Sequence, residues 1–424
     1  MYCSCCCCCW LWFDMARSRK YDSSVRPVVR AELSEKNRTL RWILIIGFSA
    51  IALISFVIGL RAVLVTEPGW EMVESASTEV NVSADFVVSY CYGQTQEDAS
   101  AEKKRLTMLY SDAAEDAYRI FYEGLAPVSA NVNQPVKVDP ALYEALKLVQ
   151  RYGSRHLYLA PIYAEYNRIF LSPTPADAAA FDPAQNPELA VYICSMAAFA
   201  NDPSMIDLHF LDNYQVQLVV SNEYLEFAQQ EEITEFLDFG WMVNAFVADY
   251  LADVLASNGF TNGFLSSYDG FTRNLDSRGE VFSLNLFDRV DNSIHLAGTM
   301  QYEKPISIVF LRNYPMSQRD QFHYYAFESG RVVSAMLDPN DGMSKSATDS
   351  LVGYGYDTGC ADILLQLAPI FLSDGLQTQL LNALRADGIS AIWLEDTKLL
   401  CNDGNLKIEL NPEAGVKYTL EYVD

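Results

Sequence analysis

An unbroken apolar run occupies residues 42–60 of the 424-residue chain and reads WILIIGFSAIALISFVIGL. At about 1.5 Å of rise per residue, a helix of this length spans a hydrocarbon core of roughly 30 Å. Ser49 and Ser55 are its only polar side chains, so the run lacks the polar face of a buried core helix. We predict a transmembrane helix over residues 42–65. A cleaved signal peptide stays open as an alternative, because the small residues 75–77 follow the run.

The charges on either side of the run predict its orientation. Lys and Arg are frequent between residues 17 and 41, whereas none occurs between Arg61 and Lys103, a stretch rich in Asp and Glu. By the positive-inside rule, residues 1–41 form a cytoplasmic basic tail, and the rest of the chain after the span lies outside the cytoplasm. We expect an acidic tether over residues 66–83 and an extracytoplasmic domain over residues 84–424.

Composition limits the partners of that domain. The whole chain has a net charge of −25, and its first 65 residues hold 9 basic and 4 acidic side chains, so the exported part carries 21 basic against 51 acidic residues, a net charge of −30. Such a charge argues against nucleic acid, or an anionic lipid surface, as a partner. The membrane is contacted through one helix, and an exported protein remains a candidate partner.

Cysteine occurs in two different settings. Cys3 and the run 5–9 precede Met15, and we interpret residues 1–14 as a start-site artefact; S-acylation and metal binding are the alternatives. The exported part has four cysteines, which permit three disulfide pairings, and the sequence does not choose among these pairings or free thiols. They are Cys91, Cys194, Cys360 and Cys401.

Strand and helix patterns interleave along the exported part. Residues 84–92, 263–267 and 306–311 have strand character, as does the longer stretch 208–220, whereas 99–122, 237–258 and 360–371 have helical periodicity. Asp139-Pro140 opens a further helix that Gly153 ends. We therefore predict an α/β fold of mixed α+β type. The common hydrolase, kinase and dinucleotide-binding motifs are absent from the sequence.

Four landmarks in this region resemble the ApbE family of FAD:protein FMN transferases, over about residues 84–424. The family has an Asp, a hydrophobic residue, two Gly and an Ala-Lys-Gly-Tyr segment, then Gly-Val-x-Asn-Ala, His-x-x-Asp-Pro-x-Thr-Gly and Ala-Asp-Ala-x-x-Thr. The matching stretches are DFGWMVNAF (238–246), GFTNGFL (259–265), AMLDPNDG (335–342) and ADILLQ (361–366). The resemblance implies a two-lobed ApbE-like domain behind the transmembrane helix. It also implies a flavin site at Asp238, Gly240, Asn244, Asp269 and Asp338.

The chain departs from the family at positions that face the ligand. Asn244 stands at the family's lysine, Trp241 at its second glycine and Ala335 at its histidine. The magnesium threonine is Gln366, which lies one helical turn after Asp362, so the two side chains could still offer oxygens to one Mg²⁺. Loss of charge-assisted contacts, each worth about 1.5–3 kcal/mol, should weaken flavin binding.

Three hypotheses follow for this divergent ApbE-like chain. The preferred one is a membrane-anchored extracytoplasmic binding or structural module with a degenerate flavin site, a pseudoenzyme that needs no cofactor and has no assigned catalytic residue. The first alternative is an active transferase that uses FAD and Mg²⁺ to attach FMN to an exported partner protein, as the resemblance implies. The second alternative is an exported ligand sensor.

Overall fold

The structure, a computed structural model, describes residues 37–64 and 66–423, without the side chains at 58 and 60–64. The chain divides after Leu64 into two units. The described part of the first unit is one helix, α1 (Arg38–Leu64), and its segment Arg38–Val57 is long and apolar enough to cross a membrane. The basic tail before residue 37, the early cysteine run and the start site lie outside the described residues.

The second unit contains ten α-helices and seventeen strands within residues 66–423. The helices are α2 (Ala99–Ala117), α3 (Ala126–Ala130), α4 (Pro140–Arg151), α5 (Ala160–Phe170), α6 (Pro175–Ala180), α7 (Pro187–Asn201), α8 (Asn222–Gln230), α9 (Val243–Ser257), α10 (Cys360–Phe371) and α11 (Thr378–Ala383). The strands are β1 (Gly69–Val73), β2 (Phe86–Tyr92), β3 (Pro135–Lys137), β4 (Ile206–Leu211), β5 (Gln215–Val220), β6 (Gly263–Ser267), β7 (Phe271–Asn274), β8 (Phe282–Val290), β9 (Ser293–Tyr302), β10 (Ile306–Arg312), β11 (Tyr324–Ala326), β12 (Val332–Ser334), β13 (Ser350–Gly355), β14 (Ile389–Glu395), β15 (Lys398–Cys401), β16 (Lys407–Leu410) and β17 (Thr419–Tyr422).

A nine-stranded sheet organises this unit, in the order β1-β2-β6-β7-β10-β13-β14-β15-β17. Neighbouring strands are antiparallel except β15 and β17, which are parallel. Helices α9 and α10 pack against each other and against strands of this sheet. Three smaller sheets, β3-β5-β4, β16-β9-β8 and β11-β12, complete the mixed α+β fold predicted from the sequence.

Strand β10 shows why the centre of the sheet reads as a continuous apolar run. All seven of its residues are buried. Val309 and Leu311 belong to the core that includes α9 and α10, whereas Ile308 and Phe310 belong to a second core shared with β8 and β9. A strand covered on both faces loses the alternation of a half-exposed strand, which accounts for the sequence IVFL.

The structure differs from the sequence predictions at two strands. Residues 69–73 are predicted to belong to the acidic tether, but they form β1. This strand pairs with β2 from Gly69↔Tyr92 to Val73↔Val88 and so covers what would otherwise be an open edge of the sheet. The stretch 208–220, predicted as one strand, is the hairpin β4–β5. Asn213 and Tyr214 both have positive φ (59° and 57°), which reverses the chain between the two strands.

Several helices begin and end where the sequence predicts. Asp139 caps α4 by accepting a hydrogen bond from the backbone N–H of Ala141 at 2.8 Å, and Gly153 follows the helix with φ +62°. Helix α10 matches the predicted range 360–371. The four cysteines of the second unit are all free thiols, of which Cys194 alone is exposed.

Candidate functional site

A cavity of about 460 Å³ lies where the first turn of α9 meets α5, the β6–β7 turn and two short helices, Tyr118–Tyr122 and Gln318–Phe322. Asp238, Gly240, Asn244 and Asp269, four of the residues implied by the resemblance, line this cavity. Trp241 and Ala335, two of the departures from the family pattern, line it as well. Two landmarks that are far apart in the sequence therefore meet at one place, together with the β6–β7 turn.

The segment before α9 is bent tightly around Gly240. Gly240 has φ +54°, and a Cβ at this position would lie 2.6 Å from Cε2 of the buried Tyr163. Its N–H donates to Oδ1 of Asp238 at 2.8 Å. Partial burial raises the pKa of Asp238, since a carboxylate loses hydration beside the cavity. Glycine is thus required here both by the backbone conformation and by the space available.

Asn244 is one of the residues that line the cavity. Its side chain is buried, its Nδ2 donates to Oδ2 of Asp269 at 3.0 Å, and its Oδ1 accepts from the Tyr122 hydroxyl at 3.1 Å. Burial, followed by the carboxylate of Asp85, raises the pKa of Tyr122, so this hydroxyl acts as a donor. Both ends of the amide are therefore engaged within the protein.

Asp269 has one carboxylate oxygen without a hydrogen-bond partner in the described part of the chain. Its Oδ1 is buried and has no hydrogen-bond partner among the residues that the structure describes. Desolvation, and then the neighbouring carboxylate of Asp269, raises the pKa of Asp85. Two acids therefore lie close enough to repel each other across this part of the cavity.

Trp241 occupies space beside the same wall. Its indole is only 6% exposed and meets the ring of His156 edge-on, with the centroids 5.8 Å apart. Burial lowers the pKa of His156 to about 4, so this imidazole is neutral at pH 7. A glycine at position 241 would leave the volume of the indole empty.

Among the described residues that line the cavity, Arg319 is the only Lys or Arg. Its guanidinium donates to the carbonyl of Ala84 at 3.0 Å and lies 3.9 Å from the centroid of the Tyr268 ring. Arg319 belongs to the short helix Gln318–Phe322. Asp320 of the same helix accepts a hydrogen bond from the buried guanidinium of Arg312 at 2.5 Å, which holds the helix in place. Arg319 thus lies at the exposed rim with partners of its own.

Asp338, which the resemblance places in the flavin site, is not among the residues lining the cavity. Its carboxylate pairs with the Lys345 ammonium at 2.5 Å and accepts from the N–H of Asn340 at 2.9 Å. The turn closes at Gly342, whose φ is +71°. In the Asp-Pro-x-x-Gly loop, the aspartate is thus paired with a lysine that follows the loop in the sequence.

Asp362 and Gln366 lie one turn apart on α10, as predicted, but outside the cavity lining. The Tyr152 hydroxyl donates to Oδ1 of Asp362 at 3.0 Å and accepts from Nε2 of Gln366 at 3.1 Å. Burial, followed by the hydrogen bond to Asp362, raises the pKa of Tyr152 to about 12. Within residues 37–64 and 66–423, three or more His, Cys, Asp or Glu side chains nowhere converge to suit a metal ion.

Asp249, one helical turn and a half after Asn244, has a clear structural role. Its carboxylate accepts from the N–H groups of Cys360 at 2.8 Å and Ala361 at 2.9 Å, and pairs with Arg273 at 2.7 Å. It therefore joins α9 to the beginning of α10 and to β7.

Sequence reasoning missed several residues of the cavity, which come from segments distant along the chain. The additional polar and aromatic lining residues include Asp85, Tyr122, Tyr163, Glu235, Phe322 and His323. The aromatic residues Tyr118, Phe121 and Tyr122 lie together at the end of the predicted helix 99–122, and they are a visible signal for Tyr122. The short helix Gln318–Phe322 has no motif that would reveal its role.

Comparisons with known proteins identify the fold. The chain matches an ApbE protein of Thermotoga maritima with a TM-score of 0.54 and 10% identity, over 80% of this chain and 97% of that one. It matches the flavin transferase ApbE of Vibrio cholerae with a TM-score of 0.50 and 12% identity, over 82% and 99% of the two chains. No family model matches the sequence, and no curated protein matches it. The chain therefore has an ApbE-like fold.

Proposed function

We propose that this protein is a membrane-anchored extracytoplasmic binding module that uses an ApbE-like fold without transferring flavin. The observation that carries the proposal is the bonding of Asn244. Where the family resemblance calls for a lysine, a buried amide bridges Tyr122 and Asp269 and offers no positive charge. A pyrophosphate at this wall would lack the cation that stabilises it.

The other charges of the cavity support the same conclusion. Asp85, Glu235, Asp238 and Asp269 all line it, and Arg319 is already engaged at the rim. FAD brings two negative phosphates, whereas Arg319 is the single Lys or Arg among the described residues that line the cavity. Each missing charge-assisted hydrogen bond costs about 1.5–3 kcal/mol of affinity.

The residues for magnesium do not fit that ion in their present arrangement. Asp362 and Gln366 face the same phenol, and Gln366 presents its amide nitrogen rather than its oxygen to it. Mg²⁺ needs oxygen ligands in near-octahedral geometry. Asp362 and Gln366 could offer oxygens to the ion only if the Tyr152 hydroxyl moved away from between them. We therefore propose no catalytic step through FAD or Mg²⁺.

The membrane anchor and the location of the domain belong to the same proposal. Helix α1 is long and apolar enough to span a bilayer, and the basic residues lie before it in the sequence. The positive-inside rule then directs the ApbE-like unit away from the cytoplasm. A binding module outside the cytoplasm can bind an exported protein. It can also bind a small molecule, as an exported ligand sensor would.

An active Mg²⁺-dependent FAD:protein FMN transferase is the second candidate. The observation in its favour is the likeness in fold to the flavin transferase of Vibrio cholerae. Fold alone does not transmit activity, because the chemistry depends on the side chains of the site.

The two candidates differ in what happens to FAD. Full-length protein in detergent, given FAD, Mg²⁺ and a threonine-bearing acceptor peptide, should release no AMP and should not retain FAD at micromolar concentration. Asn244→Lys combined with Trp241→Gly should recover some flavin binding, with Asn244→Lys alone as the control for the added charge. AMP release by the unaltered protein that disappears in Asp362→Ala would establish the transferase instead.

A further inference from the structure

The cavity beside Asn244 combines carboxylates with aromatic side chains. Its aromatic lining includes Phe121, Tyr163, Tyr166 and Trp241, all of which are buried. Its volume of about 460 Å³ falls within the range of small-molecule sites. Aromatic side chains in the lining favour a ligand with a hydrocarbon part over a hydrated inorganic ion.

The polar groups of the cavity identify the charge of its ligand. Asp238 and Asp269 approach from two different elements, the segment before α9 and the β6–β7 turn, while the rim adds Asp85 and Glu235. Arg319 already donates to the Ala84 carbonyl. A ligand entering this cavity therefore meets an excess of negative charge, which attracts a cation and repels an anion.

The unpartnered oxygen of Asp269 identifies the kind of cation. Oδ1 is buried without a donor in the described part of the chain, and leaving a carboxylate oxygen in that state is costly. A primary ammonium group offers N–H donors to this oxygen, and its positive charge is also attracted to aromatic faces. A quaternary ammonium group has the charge but lacks the donor.

We infer that the cavity binds a small organic molecule with a primary ammonium group, which Asp269 and Asp238 hold, and an aromatic or aliphatic body that packs among Tyr163, Tyr166 and Trp241. This inference rests on the proposed function, because a cavity that held a flavin pyrophosphate would need the opposite charge. It assigns a ligand class to the binding module.

The test uses full-length protein in detergent and 2-phenylethylamine as the probe, followed by titration calorimetry with a detergent-only titration subtracted. We expect a dissociation constant below about 1 mM. The neutral 2-phenylethanol and the anionic 3-phenylpropionate should bind at least about 10-fold more weakly, since both lack the ammonium charge. Benzyltrimethylammonium should fall between them and the amine, because it has no N–H donor.

Variants locate the site. Asp269→Asn should weaken 2-phenylethylamine about 10-fold or more, as expected for a lost charge-assisted contact. Glu235→Gln, an exposed change that leaves the walls intact, should weaken it less, and Asp212→Asn, an exposed acid outside the cavity lining, should not. A melting curve for each variant separates loss of binding from loss of folding.

Equal binding of the amine and the alcohol, or no binding of the amine up to about 10 mM, would overturn the inference. So would an Asp212→Asn protein that loses as much affinity as Asp269→Asn. These outcomes leave the proposed function standing if FAD is still not cleaved. Release of AMP from FAD would instead overturn the proposed function, whatever the amine does.

Discussion

Replacing Gly240 by alanine tests whether the tight bend before α9 shapes the cavity. Gly240 has φ +54°, a conformation that costs a residue with a Cβ about 1–2 kcal/mol. The new Cβ would also lie 2.6 Å from Cε2 of Tyr163, whose ring is 5% exposed and therefore has little room to move. Overpacking of this kind costs about 1–3 kcal/mol. We expect Gly240→Ala to lower the free energy of unfolding by about 2–5 kcal/mol.

Gly153→Ala is a matched control for the backbone term alone. Gly153 has φ +62°, and a Cβ there would meet no atom within 4 Å. Its cost should be limited to about 1–2 kcal/mol. Urea unfolding of the full-length proteins in a mild detergent, monitored by near-ultraviolet circular dichroism, measures both changes. Equal destabilisation by the two substitutions would refute the steric argument at Gly240.

Two further predictions concern pH and topology. Burial lowers the pKa of His156 to about 4 in the folded state, against 6.5 for an exposed histidine. As the pH falls, the unfolded chain therefore binds a proton before the folded protein does. The free energy of unfolding should consequently decrease as the pH drops from about 6.5 to 4. His156→Asn should flatten that part of the stability profile in urea titrations, whereas His209→Asn, a change at an exposed histidine, should follow the unaltered protein. In intact cells, a membrane-impermeant protease should cleave after residue 66 and spare the region before Trp42. Protection of residues 66–424 from the protease in intact cells would contradict the proposal that this unit lies outside the cytoplasm.

Local signals account for the parts of the fold that the sequence predicts well. Asp139 and Pro140 fix the beginning of α4 through a side-chain cap and a preset φ, and neither depends on the rest of the chain. Strand β10 is recognisable because both of its faces are covered by apolar side chains. The reversal at Asn213 and Tyr214 is less visible, since tyrosine rarely adopts a positive φ and the apolar pattern continues on both sides.

The site shows the corresponding limit for side-chain chemistry. The meeting of Asn244 and Asp269 could be anticipated from the family pattern, but the partner of Asp362 is Tyr152, which is 210 positions away in the sequence. Likewise, Asp338 keeps its place in the loop while Lys345 pairs with it. Such pairings depend on the packing of whole elements, so a motif alone does not specify whether an acid is free to bind a ligand.

Residues with a structural role differ from residues that line the cavity in how readily they can be replaced. Gly240, which belongs to a matching stretch, permits a backbone turn that a Cβ would block. Asp249, which lies beyond that stretch on α9, joins α9 to α10 through two backbone N–H groups and to β7 through Arg273. Changing either one would disturb the fold itself. Asn244 and Trp241 instead meet the cavity, where an amide or an indole can be accommodated by neighbouring side chains without moving the backbone. This separation explains how a chain can keep an ApbE-like fold at 10–12% identity while the side chains that line its cavity differ from the family pattern.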